Sequence, residues 1–339
     1  MIADGLKWMF LIIGTTIGAG YASGREIWQF FGHESGLAIV LFMIMFIISC
    51  YVVMTVSFQH QTKDYSAVLT VLMGPKVSKW YDVIIIFYLF TTTGVMIAGG
   101  GAALEMFHIP YSSGILFMFV LLILTAARGI KGLTEINGVL MPILIICLGA
   151  VLLWFFNHED SAVGVSSWNH QSNWTAAFTF TSLNLLPLVA VLSAAGKKIK
   201  RRQEIIVASV GSGVVLGGVS LLYNASLVKA AEDILLYEIP LFAIMESFPG
   251  YMTMIMTVLL WAAIFTTAAS GLFGLVSRLQ PMFSAPGWML AILLLSLMLP
   301  VTTFGFASLV GFLYPLYGFL NLYLLIMVLI HPFFISHKK

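Results

Sequence analysis

The sequence predicts an all-α polytopic membrane protein, from its composition and from the length of its apolar runs. Of its 339 residues, 60% are apolar and 9% are charged, and the mean hydropathy is +1.02. Soluble domains are closer to half apolar and a quarter charged, so this composition excludes an ordinary soluble protein. The Lys and Arg residues are few and lie between apolar runs, which argues against nucleic-acid binding. The lipid bilayer is therefore the first partner that the sequence predicts.

The apolar runs predict about ten transmembrane helices, because a helix crosses a bilayer in about 20 residues. No change of composition marks a second domain, so we expect a single transmembrane domain over residues 1–339. The predicted spans are residues 6–32, 36–59, 79–107, 112–128, 133–156, 174–195, 204–228, 249–278, 287–303 and 306–332.

The orientation follows from the basic residues of the connections. The connections after spans 2, 4, 6 and 8 carry Lys or Arg, with a cluster at residues 197–202, and the chain ends in Lys338-Lys339. The connection at residues 157–173 has neither Lys nor Arg. By the positive-inside rule, this alternation predicts that both termini are cytoplasmic.

Span 1 contains a predicted helix break. The stretch Gly14–Ile27 holds four glycines and the adjacent charges Arg25 and Glu26. Non-helical backbone at membrane depth persists only where it is buried in protein or lines a polar cavity, so a break there predicts a binding site. The alternative is that the glycines only let a neighbouring helix approach closely. For Arg25 and Glu26 two roles are open: they form an outer gate above the site, or they lie at the external water interface.

Span 6 is the second predicted break, at Ser182–Pro187. Pro187 has no N–H and its ring clashes with the preceding turn; a plain proline kink is the alternative. The polar residues that we expect to contact a solute in this span are Thr179, Ser182 and Asn184.

The two predicted breaks lie five spans apart, which predicts an internal repeat. Because five is odd, the second set of five spans is inverted relative to the first. The predicted repeats cover about residues 6–156 and 174–332. Interrupted spans at corresponding positions of inverted halves indicate a transporter binding site at the bilayer midplane.

Span 8 carries a group of neutral oxygens. The Ala263 carbonyl and the Thr266 and Thr267 hydroxyls share one helical face through their i, i+3, i+4 spacing. Such oxygens suit an alkali cation. The alternative is that both threonines donate to carbonyls one turn earlier, as they often do in membrane helices.

The connection at residues 229–248 is amphipathic and holds Pro240. It predicts an external helical hairpin over the bundle, with an ordinary interfacial helix as the alternative.

Spans 1 and 8 together resemble a known fold. The span 8 oxygens, set against a first helix reading Gly14-x-x-Ile17-Gly18-x-Gly20, look like the second sodium site of the leucine-transporter fold. Neurotransmitter:sodium symporters and the amino acid–polyamine–organocation (APC) superfamily share this fold. The stretch Gly18–Phe31 resembles the YkvI family of uncharacterised bacterial membrane proteins, grouped with amino acid permeases. The loop Arg128–Lys131 is similar to the one before helix 5 of the superfamily.

The resemblance implies two inverted five-helix repeats with helices 1 and 6 broken, in a bacterial plasma membrane. It also implies roles for residues. Ala19, Gly20 and Tyr21 would face the solute. The residues implied as sodium ligands are Gly14, Ile17, Ala263, Thr266 and Thr267.

The resemblance has limits that bear on the coupling ion. Tyr21 stands where symporters with two sodium ions have an asparagine ligand, so a second sodium site is not implied. Proton-coupled relatives place a lysine of helix 5 at the sodium position, whereas the fifth span is apolar beyond Glu135 and Asn137. This difference favours sodium as the coupling ion.

The expected function is secondary active transport, by sodium-coupled symport of an amino acid or a similar small zwitterionic solute. We expect neither Asp nor Glu at the depth of the breaks, so a cationic solute would lack a partner. The alternatives are a proton-coupled or uncoupled permease or exchanger of the same fold, and a sensor that binds a solute without transporting it. The chain shows no catalytic motif in its expected context, so we expect no enzyme and no cofactor besides sodium.

Overall fold

The computed structural model describes residues 2–62, 64–128, 133–158, 171–194, 196–283 and 286–336, and within them the chain is helical without strands. Residues 129–131 of the helix 5 loop, most of the 157–173 connection and Lys338-Lys339 lie outside the described residues. The helices are α1 (Ile2–Thr16), α2 (Ala19–Ala22), α3 (Arg25–Phe30), α4 (Gly36–His60), α5 (Tyr65–Met73), α6 (Pro75–Leu104), α7 (Tyr111–Arg128), α8 (Leu133–His158), α9 (Ala176–Ala194), α10 (Arg202–Lys229), α11 (Ala231–Ile234), α12 (Leu241–Met245), α13 (Gly250–Leu279), α14 (Gly287–Thr302), α15 (Phe306–Leu320) and α16 (Leu322–Ser336).

The predicted all-α membrane fold is confirmed. Among the described residues, seven helical segments are long and apolar enough to cross a bilayer: α4, α6, α8, α9, α10, α13 and the joined pair α15–α16. The shorter apolar helices α7 and α14 correspond to predicted spans 4 and 9. The first predicted span is divided into α1, α2 and α3. The protein is therefore an integral membrane protein.

The predicted break in helix 1 is confirmed, and it consists of two interruptions. The α-helix ends at Thr16 and resumes at Ala19, after Gly18 in an extended conformation with φ −83° and ψ −176°. A second interruption follows at Gly24, whose φ of +78° favours glycine. The chain thus turns twice within one crossing.

The predicted break in helix 6 is not present. α9 runs without interruption from Ala176 to Ala194, with Pro187 inside it. A proline removes one backbone hydrogen bond, and a membrane helix tolerates this loss where neighbouring groups compensate. The Asn184 side chain also bonds within the helix, donating from Nδ2 to the Phe180 carbonyl at 2.9 Å. Span 6 is therefore a continuous helix that contains a proline, and it has no break.

The packing of the transmembrane helices recurs in pairs. α1 packs on α10 as α4 packs on α9, and α8 packs on α13 as α15 packs on α6. In span numbers, the contact of span 1 with span 7 recurs as the contact of span 6 with span 2, and that of span 5 with span 8 recurs as that of span 10 with span 3. Each helix is thus replaced by the helix five spans away. α4 also packs on α10, α6 on α13 and α7 on α14, which are contacts between helices five spans apart.

The α10–α13 connection, residues 230–249, lies over the broken helix. The Leu241 N–H of α12 donates to the Ser23 carbonyl at 2.9 Å. The Glu238 carboxylate accepts a hydrogen bond from the Ala307 N–H at 2.5 Å, at the first turn of α15. The connection is therefore tied to both the first and the last span, as a hairpin over the bundle would be.

We predict that Gly114→Ala destabilises the fold. A Cβ at Gly114 would lie 2.9 Å from the Gly101 Cα and 3.1 Å from its carbonyl oxygen. Because backbone atoms cannot rotate away, α6 and α7 must separate, at a cost of about 1–3 kcal/mol. The measurement is the thermal unfolding temperature of the purified protein in detergent. The control is Gly218→Ala, whose added Cβ has no heavy atom within 4 Å; equal temperatures for both variants would contradict the prediction.

We also predict that Glu238→Gln loosens the α10–α13 connection. The change replaces a charge-assisted hydrogen bond to the Ala307 N–H by a neutral one and removes the attraction between Glu238 and Arg25. Hydrogen–deuterium exchange of peptides spanning residues 230–246 should become about tenfold faster. The control is Glu232→Gln, at an exposed position of α11. Equal exchange in the two variants would show that Glu238 does not hold the connection.

Candidate functional site

A cavity of about 350 Å³ lies at the break in the first span. Its wall is built by α1, α2, α3, α6, α9, α13 and α15. The apolar part includes Met96, Leu183 and Pro187. The polar side chains in the wall are those of Glu26, Thr92, Thr93, Asn184, Thr267 and Ser270, with Thr15, Thr16 and two tyrosines.

α10 holds the broken helix in place. The Tyr223 hydroxyl donates to the Ala22 carbonyl at 2.9 Å, and the Tyr21 hydroxyl is 2.8 Å from the Ser220 Oγ. A Cβ at Gly24 would lie 2.7 Å from the Tyr223 hydroxyl. Glycine is thus required at position 24 both by its positive φ and by the approach of Tyr223.

Ser23 bonds to the backbone on both sides of the second interruption. Its Oγ donates to the Gly20 carbonyl at 2.8 Å and accepts from the Arg25 N–H at 3.2 Å. Its own carbonyl accepts the hydrogen bond from Leu241 of α12. Side chains and a neighbouring loop therefore replace the helical bonds that are lost there, as the low-dielectric surroundings require.

The first interruption leaves carbonyls without the hydrogen bond of a continuous helix, and those of Gly14 and Ile17 are among them. The Ile17 N–H donates to the Ile13 carbonyl at 2.7 Å, and the Gly18 N–H donates to the Thr16 carbonyl at 2.8 Å. Among the described residues, no backbone N–H beyond α1 donates to the Gly14 or Ile17 carbonyl. These are the two carbonyls that the family resemblance implies as cation ligands.

The predicted oxygens of α13 lie together. The Thr266 and Thr267 hydroxyls donate to the Ala263 carbonyl at 3.1 and 2.8 Å, so the alternative of bonding back to the previous turn is realised. The same hydrogen bonds hold three neutral oxygens in one place, and Thr267 lines the cavity. α2 packs against α13. The three oxygens of α13 are neutral and hard, a kind of ligand that suits an alkali cation.

Three of the six residues predicted to contact a solute line the cavity, namely Ala19, Gly20 and Asn184. The other three point elsewhere. Tyr21 is turned towards α10, where it meets Ser220. Thr179 donates to the Ala176 carbonyl, and Ser182 donates to the carbonyls of Thr179 and, at 2.5 Å on α15, Gly318. In an unbroken α9 these two hydroxyls bond to backbone, which places them outside the cavity wall.

The side chains of Arg25 and Glu26, for which one alternative was a shared outer gate, lie in different surroundings. The Arg25 guanidinium donates to the Ala307 carbonyl of α15 at 3.5 Å and interacts electrostatically with Glu238. Glu26 is 8% exposed and lines the cavity, so it is not at a water interface. The expectation that no carboxylate lies at the depth of the break is therefore wrong. Gly24 is the physical reason, because its positive φ turns the first residues of α3 back towards Gly20.

Sequence reasoning also missed part of the wall. Tyr88 of α6 and Tyr314 of α15 line the cavity with Thr92 and Thr93. The run of three threonines from Thr91 was a visible signal for α6. Nothing in the sequence singled out Tyr314, since its helix reads as an ordinary apolar span.

The cavity is closed on one side. The lining residues Glu26, Met96 and Tyr314 are buried, whereas Ala190 and Ser270 are exposed. Ala190 and Ser270 lie towards the ends of α9 and α13, opposite to the α10–α13 connection. The cavity is therefore reached from the end of the bundle away from that connection.

The fold matches solved transporter structures. MhsT in complex with L-phenylalanine aligns with a TM-score of 0.65 and 15% identity, covering 90% of this chain and 80% of that chain. The inward-facing conformation of Mhp1 aligns with a TM-score of 0.59 and 12% identity, covering 94% and 73%. The predicted leucine-transporter fold is confirmed by these likenesses, which at such identities concern the fold alone.

Sequence relatives extend over almost the whole chain. The chain is 50% identical over 330 residues to the uncharacterized protein YyaD of Bacillus subtilis (strain 168), covering 97% of both. It is 26% identical over 323 residues to the uncharacterized membrane protein YkvI of the same organism, covering 92% of both. No protein-family model matches it. The predicted resemblance to YkvI is thus a distant homology, and the chain belongs to the family of YyaD.

Proposed function

We propose that the protein is a secondary active transporter that moves a small amino-acid-like solute by alternating access. The observation that carries the proposal is the cavity of about 350 Å³ at a broken membrane helix. Small-molecule sites are concave and largely apolar with a few convergent polar groups, and this cavity has that composition. The MhsT structure of the same fold holds L-phenylalanine, which supports an amino acid as the solute class.

Sodium is the proposed coupling ion. Among the described residues, no backbone N–H beyond α1 donates to the carbonyls of Gly14 and Ile17, and a bound cation would supply a positive partner for them. Ala263, Thr266 and Thr267 would complete the ligand set from α13. Binding there would tie the first span to α13, which favours one conformation of the bundle over the other.

In the proposed transport cycle, the cavity is accessible alternately from one side of the membrane and from the other. The buried residues near the α10–α13 connection close one side, while Ala190 and Ser270 leave the other accessible. With both termini in the cytoplasm, as the basic connections predict, the described conformation is open inward. Opening the opposite side requires the contacts of Glu238 and Leu241 to release.

Two inverted repeats are part of the same proposal, with the first five spans in α1–α8 and the second in α9–α16. The recurrence of helix contacts five spans apart supports it, for example α1 on α10 and α4 on α9. Such repeats give a transporter two halves that rock around a fixed site. We place the protein in the APC superfamily on this basis, in the bacterial plasma membrane.

We predict that proteoliposomes containing the protein take up at least one member of an amino acid panel faster with an inward sodium gradient than with potassium. The double variant Thr266→Ala, Thr267→Ala should lose most of the sodium stimulation, because two of the proposed ligands disappear. The matched control is Thr125→Ala on α7, whose hydroxyl also bonds back to its own helix without lining the cavity.

Sodium-stimulated uptake that persists in the double variant would overturn the sodium site. Uptake without stimulation in the wild type would instead favour an uncoupled or proton-coupled permease. Solute binding without any uptake would indicate a sensor.

A further inference from the structure

We propose that Glu26 is the residue that recognises the solute, by pairing its carboxylate with a positively charged amino group. The inference rests on the proposed function and narrows it to solutes that carry an amine. It also makes solute binding release a proton, because the same carboxyl holds either the proton or the ammonium group.

The first observation is the position of Glu26. The Glu26 side chain lines the cavity, although Glu26 is only 8% exposed. Among the described residues, no hydrogen bond or ion pair is formed by its carboxylate. Of the described residues, no Lys, Arg or His lines the cavity. Glu26 is therefore the one Asp, Glu, Lys, Arg or His among the described residues of the wall, and it is directed into space that a solute can occupy.

The surroundings of Glu26 supply hydroxyl groups and no positive charge. The titratable groups on which its charge acts are Tyr21 of α2, Tyr88 of α6 and Tyr314 of α15. Arg25, the neighbouring residue in sequence, donates to the Ala307 carbonyl and interacts electrostatically with Glu238 instead. The protein thus leaves this carboxylate without a cation of its own.

A carboxylate in such a place needs a cation from outside. Burying an unpaired charge is expensive, so the group is neutralised or acquires a partner. Intramembrane ionisable residues accordingly tend to mark substrate or proton pathways. In the empty cavity the neutral carboxyl is the stable form; when an ammonium group binds, the carboxyl proton leaves to water and the ion pair forms.

Gly20 supplies the room that the carboxylate occupies. A Cβ at Gly20 would collide with the Oε1 of Glu26 and lie 2.9 Å from its Cδ. At Gly218 of α10, a helix that contributes no described residue to the cavity wall, an added Cβ meets no heavy atom within 4 Å. Gly20 is therefore a positioning residue for Glu26, and Gly218 is its control.

The test uses binding to the full-length purified protein in sodium-containing buffer, measured by isothermal titration calorimetry. Two sets of probes are used. The members of one set share a carbon skeleton and differ in which charged groups they carry. The first set is L-phenylalanine, phenethylamine and 3-phenylpropanoate. The second set is L-leucine, 3-methylbutylamine and 4-methylpentanoate. We expect the wild type to bind amine-bearing members of at least one set and to bind the deaminated acid of that set at least about tenfold more weakly.

We predict that Glu26→Gln weakens binding of the amine-bearing probe at least about tenfold, since a buried charge loses its partner. Titration in phosphate and in Tris at the same pH measures proton release from the difference in heat. The wild type should release a proton on binding, and Glu26→Gln should not. Gly20→Ala should weaken binding in the same direction, and Gly218→Ala should leave it within about twofold of the wild type. Thermal unfolding in detergent identifies any variant that fails to fold, and Glu26→Asp, which keeps the charge, should restore part of the affinity.

The inference is overturned if Glu26→Gln binds the amine-bearing probe as the wild type does, if the deaminated acid binds equally well, or if the wild type binds no amine in either set. Unchanged uptake and selectivity in Glu26→Gln would remove this inference alone and leave the transporter proposal standing. Glu26-dependent binding without uptake into proteoliposomes would support this inference and contradict the transporter proposal.

Discussion

The structure depends on one constraint, which is that backbone polar groups inside a bilayer need partners. The first span is interrupted at Gly18 and again at Gly24, and each unpaired group there would cost several kcal/mol in lipid. Ser23, Tyr223 and the N–H of Leu241 supply the missing bonds. The positions of α10 and of the α10–α13 connection follow from this requirement, because both must reach the interrupted segment.

Three groups near the break have no hydrogen-bond donor among the described residues. The Gly14 and Ile17 carbonyls face the first interruption, and the Glu26 carboxylate enters the cavity beyond it. Carbonyl oxygens attract cations, and the Glu26 carboxyl does so once it has released its proton. A sodium ion and an amino group are two cations of different size, and the two groups of ligands are separate enough in sequence to serve one each.

The glycines of span 1 and Pro187 of span 6 show why sequence reasoning succeeds in one helix and fails in another. In span 1 the glycines lie close together and Gly24 adopts a positive φ, so helical bonding is lost. In span 6 Pro187 removes a single bond, and α9 continues through it. A proline in sequence indicates a local cost, whereas neighbouring helices decide whether the chain departs from the helix. The hydroxyls of Thr179 and Ser182 follow that outcome, since they bond to backbone once α9 is continuous.

The sequence by itself determined the membrane class, the ten spans and the interruption of the first one, because hydropathy and glycine content are local properties of the chain. It also indicated the oxygens of Ala263, Thr266 and Thr267 through helical spacing and a family resemblance. Only the tertiary structure decided that Tyr21 faces α10 and that Glu26 faces the cavity. The direction of a side chain after two interruptions depends on backbone angles and on Tyr223 packing against Gly24, and residue spacing carries neither.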